Sequence, residues 1–226
     1  MPDHPRGPVA MAWSGGKDSA MALDRLVGQG VSVAFLLTTV SSEFNRVSIH
    51  GVRRTLLHAQ AQALGLPLQE VVLPGSPSNE AYETAMATVL SARSGEISGV
   101  AFGDLFLEDI RAYRERQMRD LALASHFPLW GEDTAHLAHQ WIEGGHQATV
   151  VVVDTTQLDG SLAGCAYDRA FLGALPAGVD PCGERGEFHT FVHAGPGFIA
   201  PLAVRTGDRV LREGRFLFCD LIEEES

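Results

Sequence analysis

Hydrophobic and polar positions follow two rhythms along this chain, and the change falls near Asp154. Before it, short apolar runs alternate with longer stretches of helical spacing. Val9–Trp13 predicts a first strand, and Asp18–Val27 a helix with Ala20, Leu23 and Val27 on one face. Val31–Thr39 is almost wholly apolar, as expected of a strand covered on both faces of a parallel sheet. Arg53–Leu64 reads as a helix closed by Gly65 and followed by Pro67. Leu68–Leu73 predicts a strand, Asn79–Arg93 a helix, and Val100–Phe102 a short strand ending in Gly103-Asp104. Glu108–Ser125 predicts a long polar-faced helix, and Asp133–Glu143 another, capped by Asp133 or Thr134. Ala148–Val153 predicts a fifth, very apolar strand.

This alternation predicts an α/β fold with a doubly wound, five-stranded parallel sheet of Rossmann-like type. Such sheets bind ligands at the C-terminal ends of their strands. Here those ends deliver Ser14, Thr39–Ser42 and Gly103–Asp104. Beyond Asp154, glycine and proline become frequent. Phe188–Val192, Ala200–Val204, Arg209–Leu211 and Arg215–Leu221 look like short strands, with Glu213-Gly214 as a hairpin turn. Asp168–Leu175 predicts a short helix that Asp168 caps and Pro176 stops. The expected division is a first domain over 1–154 and a smaller C-terminal α+β domain over 155–226.

Composition narrows the partners. The chain has 226 residues and a formal charge of −11, which argues against nucleic acid as a partner but not against a small anion in a local positive pocket. Its three cysteines, Cys165, Cys182 and Cys219, are too few and scattered for a disulfide framework. No apolar run approaches the roughly 20 residues that span a bilayer, and Met1–Val9 lacks a signal-peptide core. The expectation is a cytoplasmic protein without a membrane partner.

Ser14-Gly15-Gly16-Lys17-Asp18-Ser19 lies between the first strand and the first helix. Two glycines let the backbone curl so that several N–H groups converge on an anion, and the helix N-terminus adds partial positive charge. Lys17 brings a full charge, and Ser14 and Ser19 bring hydroxyl donors. Asp18 would repel phosphate, so it suits a helix cap or a Mg²⁺ ligand. The spacing is not that of a Walker A loop. The plainer alternative is a Gly-Gly turn before a capping residue.

Two further stretches carry chemistry. In Gly103–Arg111, Asp104, Glu108 and Asp109 stand at a strand end and could bind Mg²⁺. Arg111 and Arg114 could grip a phosphate or carboxylate. Alternatively, the acids simply favour a helix N-terminus and Arg111 pairs with Glu115 on the surface. Asp180–Phe191 sets Gly183, Glu184, Glu187 and Thr190 in a glycine-rich turn before an aromatic strand, or is a turn with solvated acids. His136 with His139, and His189 with His193, are spaced closely but lack the partners of a zinc set. His50 lies in a loop where it could touch nucleotide or substrate.

Ser14–Ser19 resembles the PP-loop of the N-type ATP pyrophosphatases, whose fold is the adenine nucleotide alpha hydrolase-like one. With Gly103–Arg111 and the run Gly183–Phe191, the chain resembles the diphthine–ammonia ligase family, the DUF71-type ATP-binding proteins, over essentially its whole length. Arg46–Val52 and Pro128–Gly131 fit as well, and Arg185 stands where the pattern has Asn. The resemblance implies ATP and Mg²⁺ as cofactors. A substrate carboxylate, small or protein-borne, would be adenylated with release of pyrophosphate, and ammonia would then form the amide. It implies that Ser14, Gly15, Gly16, Lys17, Asp18, Ser19, His50, Gly103 and Asp104 hold nucleotide. Asp18 and Asp104 would hold Mg²⁺; Glu108, Arg111, Gly183, Glu184, Glu187 and Thr190 would hold substrate. Lys17, Asp18, Glu184 and Glu187 would be catalytic. The chain looks like a short, prokaryotic-type member, for which a small carboxylic acid is one candidate substrate, and a homodimer is compatible with it. The rival readings are sulfur transfer to tRNA, which would need catalytic cysteines, and a nucleotide sensor without turnover.

Overall fold

A computed structural model describes residues 5–47 and 50–224. Ser48 and Ile49, in the middle of the Arg46–Val52 segment, lie outside the described residues. In chain order the elements begin with β1 (Val9–Ala12), α1 (Lys17–Gly28), β2 (Val33–Ser41), β3 (Arg46–Val47) and α2 (Arg54–Ala63). There follow β4 (Leu68–Leu73), α3 (Asn79–Ala92), β5 (Gly99–Ala101), α4 (Glu108–Asp120) and β6 (Ala124–His126). The rest is α5 (Thr134–Glu143), β7 (Gln147–Asp154), α6 (Arg169–Ala174), β8 (Phe188–Ala194), β9 (Val204–Arg212) and β10 (Phe216–Glu223). No described helix is long and apolar enough to cross a membrane.

The chain forms two compact units: Met1–Ser14, Asp18–Ser48 and Leu66–Gly131 make one, and Gly15–Lys17, Ile49–Gly65 and Glu132–Ser226 the other. The first holds a parallel sheet in the order β4-β2-β1-β5-β6, with β3 antiparallel on the end of β2. From β1 the chain builds outward to one side through β2 and β4, then returns to build β5 and β6 on the other. The order therefore reverses between β1 and β5, which places a ligand crevice at their C-terminal ends. Ala10, Phe35, Leu37, Val71, Leu90, Val100 and Met118 form a continuous buried core. On α1 the inward face is Ala20, Leu23 and Leu26; Val27, expected to point inward, is 61% exposed.

The fifth strand of the parallel sheet is β6, not the expected Ala148–Val153. The helix predicted to run to Ser125 stops at Asp120. Ala122 adopts φ 56°, its N–H donates to Arg119 O (3.0 Å), and Leu123 N–H reaches back to Met118 O (2.9 Å). That pattern is a Schellman closure, which sequences usually mark with glycine or asparagine rather than alanine.

The second unit carries an antiparallel sheet in the order β8-β7-β10-β9. Its β7 is the run Ala148–Val153, buried on both faces. The expected strand at Ala200–Val204 is only the entry to β9. Glu213 (φ 53°) and Gly214 (φ 64°) form the β9–β10 hairpin turn, and Asp168 and Asp133 cap α6 and α5 through Phe171 N and His136 N. At the end of β7, buried Asp154 takes two bonds from Arg215, at 3.0 and 2.6 Å.

Candidate active site

The segment Ser14–Ser19 leaves β1 and enters α1, and its residues divide between the two units. In the first unit, the Ser14 and Ser19 hydroxyls lie 3.3 Å apart. Gly103, just past β5, passes so close that a Cβ there would meet Asp18 C at 2.9 Å and Ser19 N at 3.0 Å. Backbone cannot yield as a side chain can, so only glycine allows this approach. Ser14, Asp18, Ser19, Gly103 and Asp104 are thereby gathered at the ends of β1 and β5.

Asp104 is mostly buried, and burial raises its carboxyl pKa against the opposing charge of Arg114. Its Oδ2 lies 3.6 Å from Arg114 Nε, too long for a hydrogen bond, and has no hydrogen-bond partner among the described residues. Arg111 donates to Glu115 Oε1 at 2.8 Å and covers the rings of Phe127 and Trp130 at 4.9 and 4.7 Å. The i,i+4 pairing anticipated from spacing is thus present, with an aromatic bed beneath it. Glu108 is exposed in the first turn of α4.

In the second unit, Gly15 has φ 79°, and a Cβ there would meet Gln60 Oε1 at 3.0 Å and Leu57 at 3.1 Å. Its carbonyl accepts from Val192 N–H (2.9 Å) and from Gln60 Nε2 (3.1 Å). Gln60, wholly buried on α2, also donates to Val192 O at 2.6 Å. Lys17 N–H donates to Thr190 Oγ1 at 3.1 Å. The Lys17 side chain is only 3% exposed; its ammonium donates to the Cys182 carbonyl and lies over the rings of Tyr167 (5.5 Å) and Phe188 (5.3 Å).

The turn Asp180–Glu187 is internally tied. Glu187 is buried; its two carboxylate oxygens accept from Asp180 N (3.1 Å) and Arg185 N (2.9 Å). Asp180 in turn accepts from Glu184 N at 2.9 Å. Gly183 (φ 70°) passes against the Phe188 carbonyl, which a Cβ would meet at 2.8 Å. Glu187 therefore holds the turn, and Glu184 is half-buried in it.

His50 Nδ1 lies 3.1 Å from Thr190 O, and since a carbonyl only accepts, Nδ1 carries the proton. Burial lowers its pKa to about 4, against the Thr190 bond and aided by the Lys17 charge. The His189 ring packs on it at 4.6 Å and is held well below its ordinary value by burial, by His50 and by Lys17. Both rings are neutral near pH 7. His136 and His139 are exposed on α5, away from any such cluster.

Among the described residues, no group of three or more His, Cys, Asp or Glu side chains could hold a metal by itself. Cys182 is buried and its thiol faces Thr134 O at 3.4 Å. Gln60 and Tyr167 escaped the sequence reading. A buried glutamine inside a helix and an aromatic after a turn look like core, and His189 was visible only as half of a pair with His193.

A glycine-rich loop leaving the first strand of a doubly wound sheet at its crossover point defines an α/β protein of the PP-loop kind, with a second, antiparallel unit appended. Residues 7–125 match the family model of the diphthamide synthase N-terminal domain, and residues 133–221 that of the diphthamide synthase C-terminal domain. The chain belongs to the diphthamide synthase family. A relative in the rat, Rattus norvegicus, named diphthine–ammonia ligase, is 24% identical over 226 residues, covering 90% of this chain and 85% of the relative.

Proposed function

We propose that this chain is an ATP-dependent carboxylate–ammonia ligase. One observation carries the reading: the loop Ser14–Ser19 stands at the sheet's crossover point with Gly103 packed on its backbone and Asp104 beside it. The rat relative's name supports the same class of reaction.

In this reading the loop amides and the Ser14 and Ser19 hydroxyls hold the β- and γ-phosphates, and the helix N-terminus stabilises charge that builds on them. The substrate carboxylate attacks the α-phosphorus, and the α–β bond breaks to give an acyl-adenylate and pyrophosphate. Ammonia then adds to the acyl carbon, AMP leaves, and one proton is released with the amide. Glu184 accepts that proton. Asp18 and Asp104 suit Mg²⁺: Asp104 Oδ2 is a buried, hard oxygen without a hydrogen-bond donor among the described residues. When bound, the ion would neutralise phosphate charge. Arg111, over the rings of Phe127 and Trp130, suits a carboxylate or phosphate, and Glu108 lies in the first turn of α4.

The test is carboxylate-dependent exchange of labelled pyrophosphate into ATP without ammonia. A panel that includes diphthine-bearing peptide and small carboxylic acids should give exchange with at least one member. Carboxylate-dependent exchange of labelled ADP into ATP instead would assign the chain an acyl-phosphate route and reject this one.

A further inference from the structure

Cys165 and Cys219 are far apart in the chain but come near each other within the second unit. One edge of β7 is taken by β8, and the other is shared by two segments that carry these cysteines. On that second edge β10 pairs Phe216, Leu217 and Phe218 with Asp154, Val153 and Val152, and Cys219 is the next residue. Where β10 leaves off, Gly164–Ala166 takes over: Gly164 N–H donates to Val150 O (2.7 Å), Val150 N–H donates to Cys165 O (2.9 Å), and Ala166 bridges to Thr149. The two segments touch at the thiol. A Cβ on Gly164 would lie 3.0 Å from Cys219 Sγ and 3.3 Å from Arg209 Nη2, so the neighbour of Cys165 lies against the Cys219 sulfur. The two sulfurs differ in surroundings. Cys165 is exposed, its thiol 3.5 Å from Ser161 O, while Cys219 is buried. Burial holds the Cys219 thiol above its ordinary pKa, against the Arg209 guanidinium beside it. A reagent from solvent therefore meets Cys165 first.

We infer that Cys165 and Cys219 form a dithiol site that a hydroperoxide modifies, with Cys165 as the sulfur that reacts first and Cys219 as the one that resolves it. The Cys165 thiolate attacks the peroxide, the O–O bond breaks, and one oxygen stays on sulfur as a sulfenic acid. The other oxygen leaves as an alcohol, or as water from hydrogen peroxide, with the proton the thiol gave up. The Cys219 sulfur then attacks the Cys165 sulfur, the S–O bond breaks, and water leaves with the Cys219 proton. Together the two sulfurs lose two electrons and the peroxide gains them. Gly164, at φ 88°, is the joint about which Cys165 turns toward β10. The bond ties β10 to the segment that enters α6, and a thiol reductant restores both cysteines. The site is independent of the ligase reading and stands or falls without it.

The test is a mass-spectrometric map of the full chain after exposure to a modest excess of hydrogen peroxide. Trypsin places the three cysteines on separate peptides, 120–169, 170–185 and 216–226. After the remaining thiols are blocked with N-ethylmaleimide, the oxidised wild type should carry the label on Cys182 alone. Peptides 120–169 and 216–226 should be joined through sulfur, and dithiothreitol should separate them. Cys165→Ser should slow the oxidation of buried Cys219 at least tenfold. Cys219→Ser should trap the Cys165 sulfenic acid, read as a dimedone adduct. Oxidised wild type in which Cys219 carries the maleimide while Cys165 is a sulfinic acid, or bridges two molecules, overturns the pair. An unchanged rate of Cys219 oxidation in Cys165→Ser overturns the assigned order. If the serine variants do not fold, the wild-type map alone decides.

Discussion

Gln60 is wholly buried and one amide nitrogen serves two backbone carbonyls, Gly15 and Val192. It fixes the loop from behind, where no ligand would reach. Gln60→Leu keeps the volume but removes the side-chain donor from Val192 O and leaves Gly15 O with the Val192 N–H. The expected cost is about 1–3 kcal/mol in denaturant unfolding, with weaker ATP binding; an unchanged midpoint would contradict this role. The histidines give a pH signature. His50 has a folded pKa of about 4 against an ordinary 6.5, so between these values the unfolded chain binds more protons. Stability is then fully present above about pH 6.5 and declines as pH falls toward 4, by up to about 3 kcal/mol from this group. His50→Asn should flatten that slope in part, His189 supplying the remainder; an identical slope in the variant would show that His50 titrates normally. The loop Ser14–Ser19 was legible as a candidate anion site because each residue type has a direct physical use. Gln60 was not, since its value lies in partners that only the fold brings near.

Gly103 and Ala122 show what local sequence does and does not announce. The strand end at Gly103-Asp104 was readable, and the packing explains the glycine: a Cβ would sit 2.9–3.0 Å from the Asp18–Ser19 backbone. Gly103→Ala should cost about 1–3 kcal/mol and reduce nucleotide affinity, measured by calorimetric titration. Retained affinity would mean that the loop can move aside. Ala122 hides a helix end, because alanine carries no αL signal yet stands at φ 56°. Ala122→Gly should therefore stabilise the protein by about 1 kcal/mol in chemical denaturation; a loss of stability would refute the Schellman assignment. The same hidden stop concealed β6, whose three residues are too few to show a period.

The two sheets of the molecule were only partly separable by pattern. An apolar run such as β7 reads alike whether it is buried in a parallel sheet or between the covered faces of an antiparallel one. Pairing partners decide, and those of β7 are β8 and β10, far along the chain. The alternation up to α4 and the turn at Asp180–Glu187 were marked locally and were readable; the strand order that reverses between β1 and β5 was not. The distinction within that turn was not: Glu187 is taken up by the backbone N–H groups of Asp180 and Arg185; under the proposed mechanism, Glu184→Gln should lower kcat at least tenfold with ATP affinity retained. Phosphorus NMR of the products formed from Mg-ATP, ¹⁵N-ammonium and an accepted carboxylate examines the whole assignment at once. The expected result is AMP and pyrophosphate in equal amounts, with one ¹⁵N-amide in the nitrogen spectrum of the same sample, all diminished in Gly103→Ala; ADP and phosphate, or AMP without labelled amide, would contradict it.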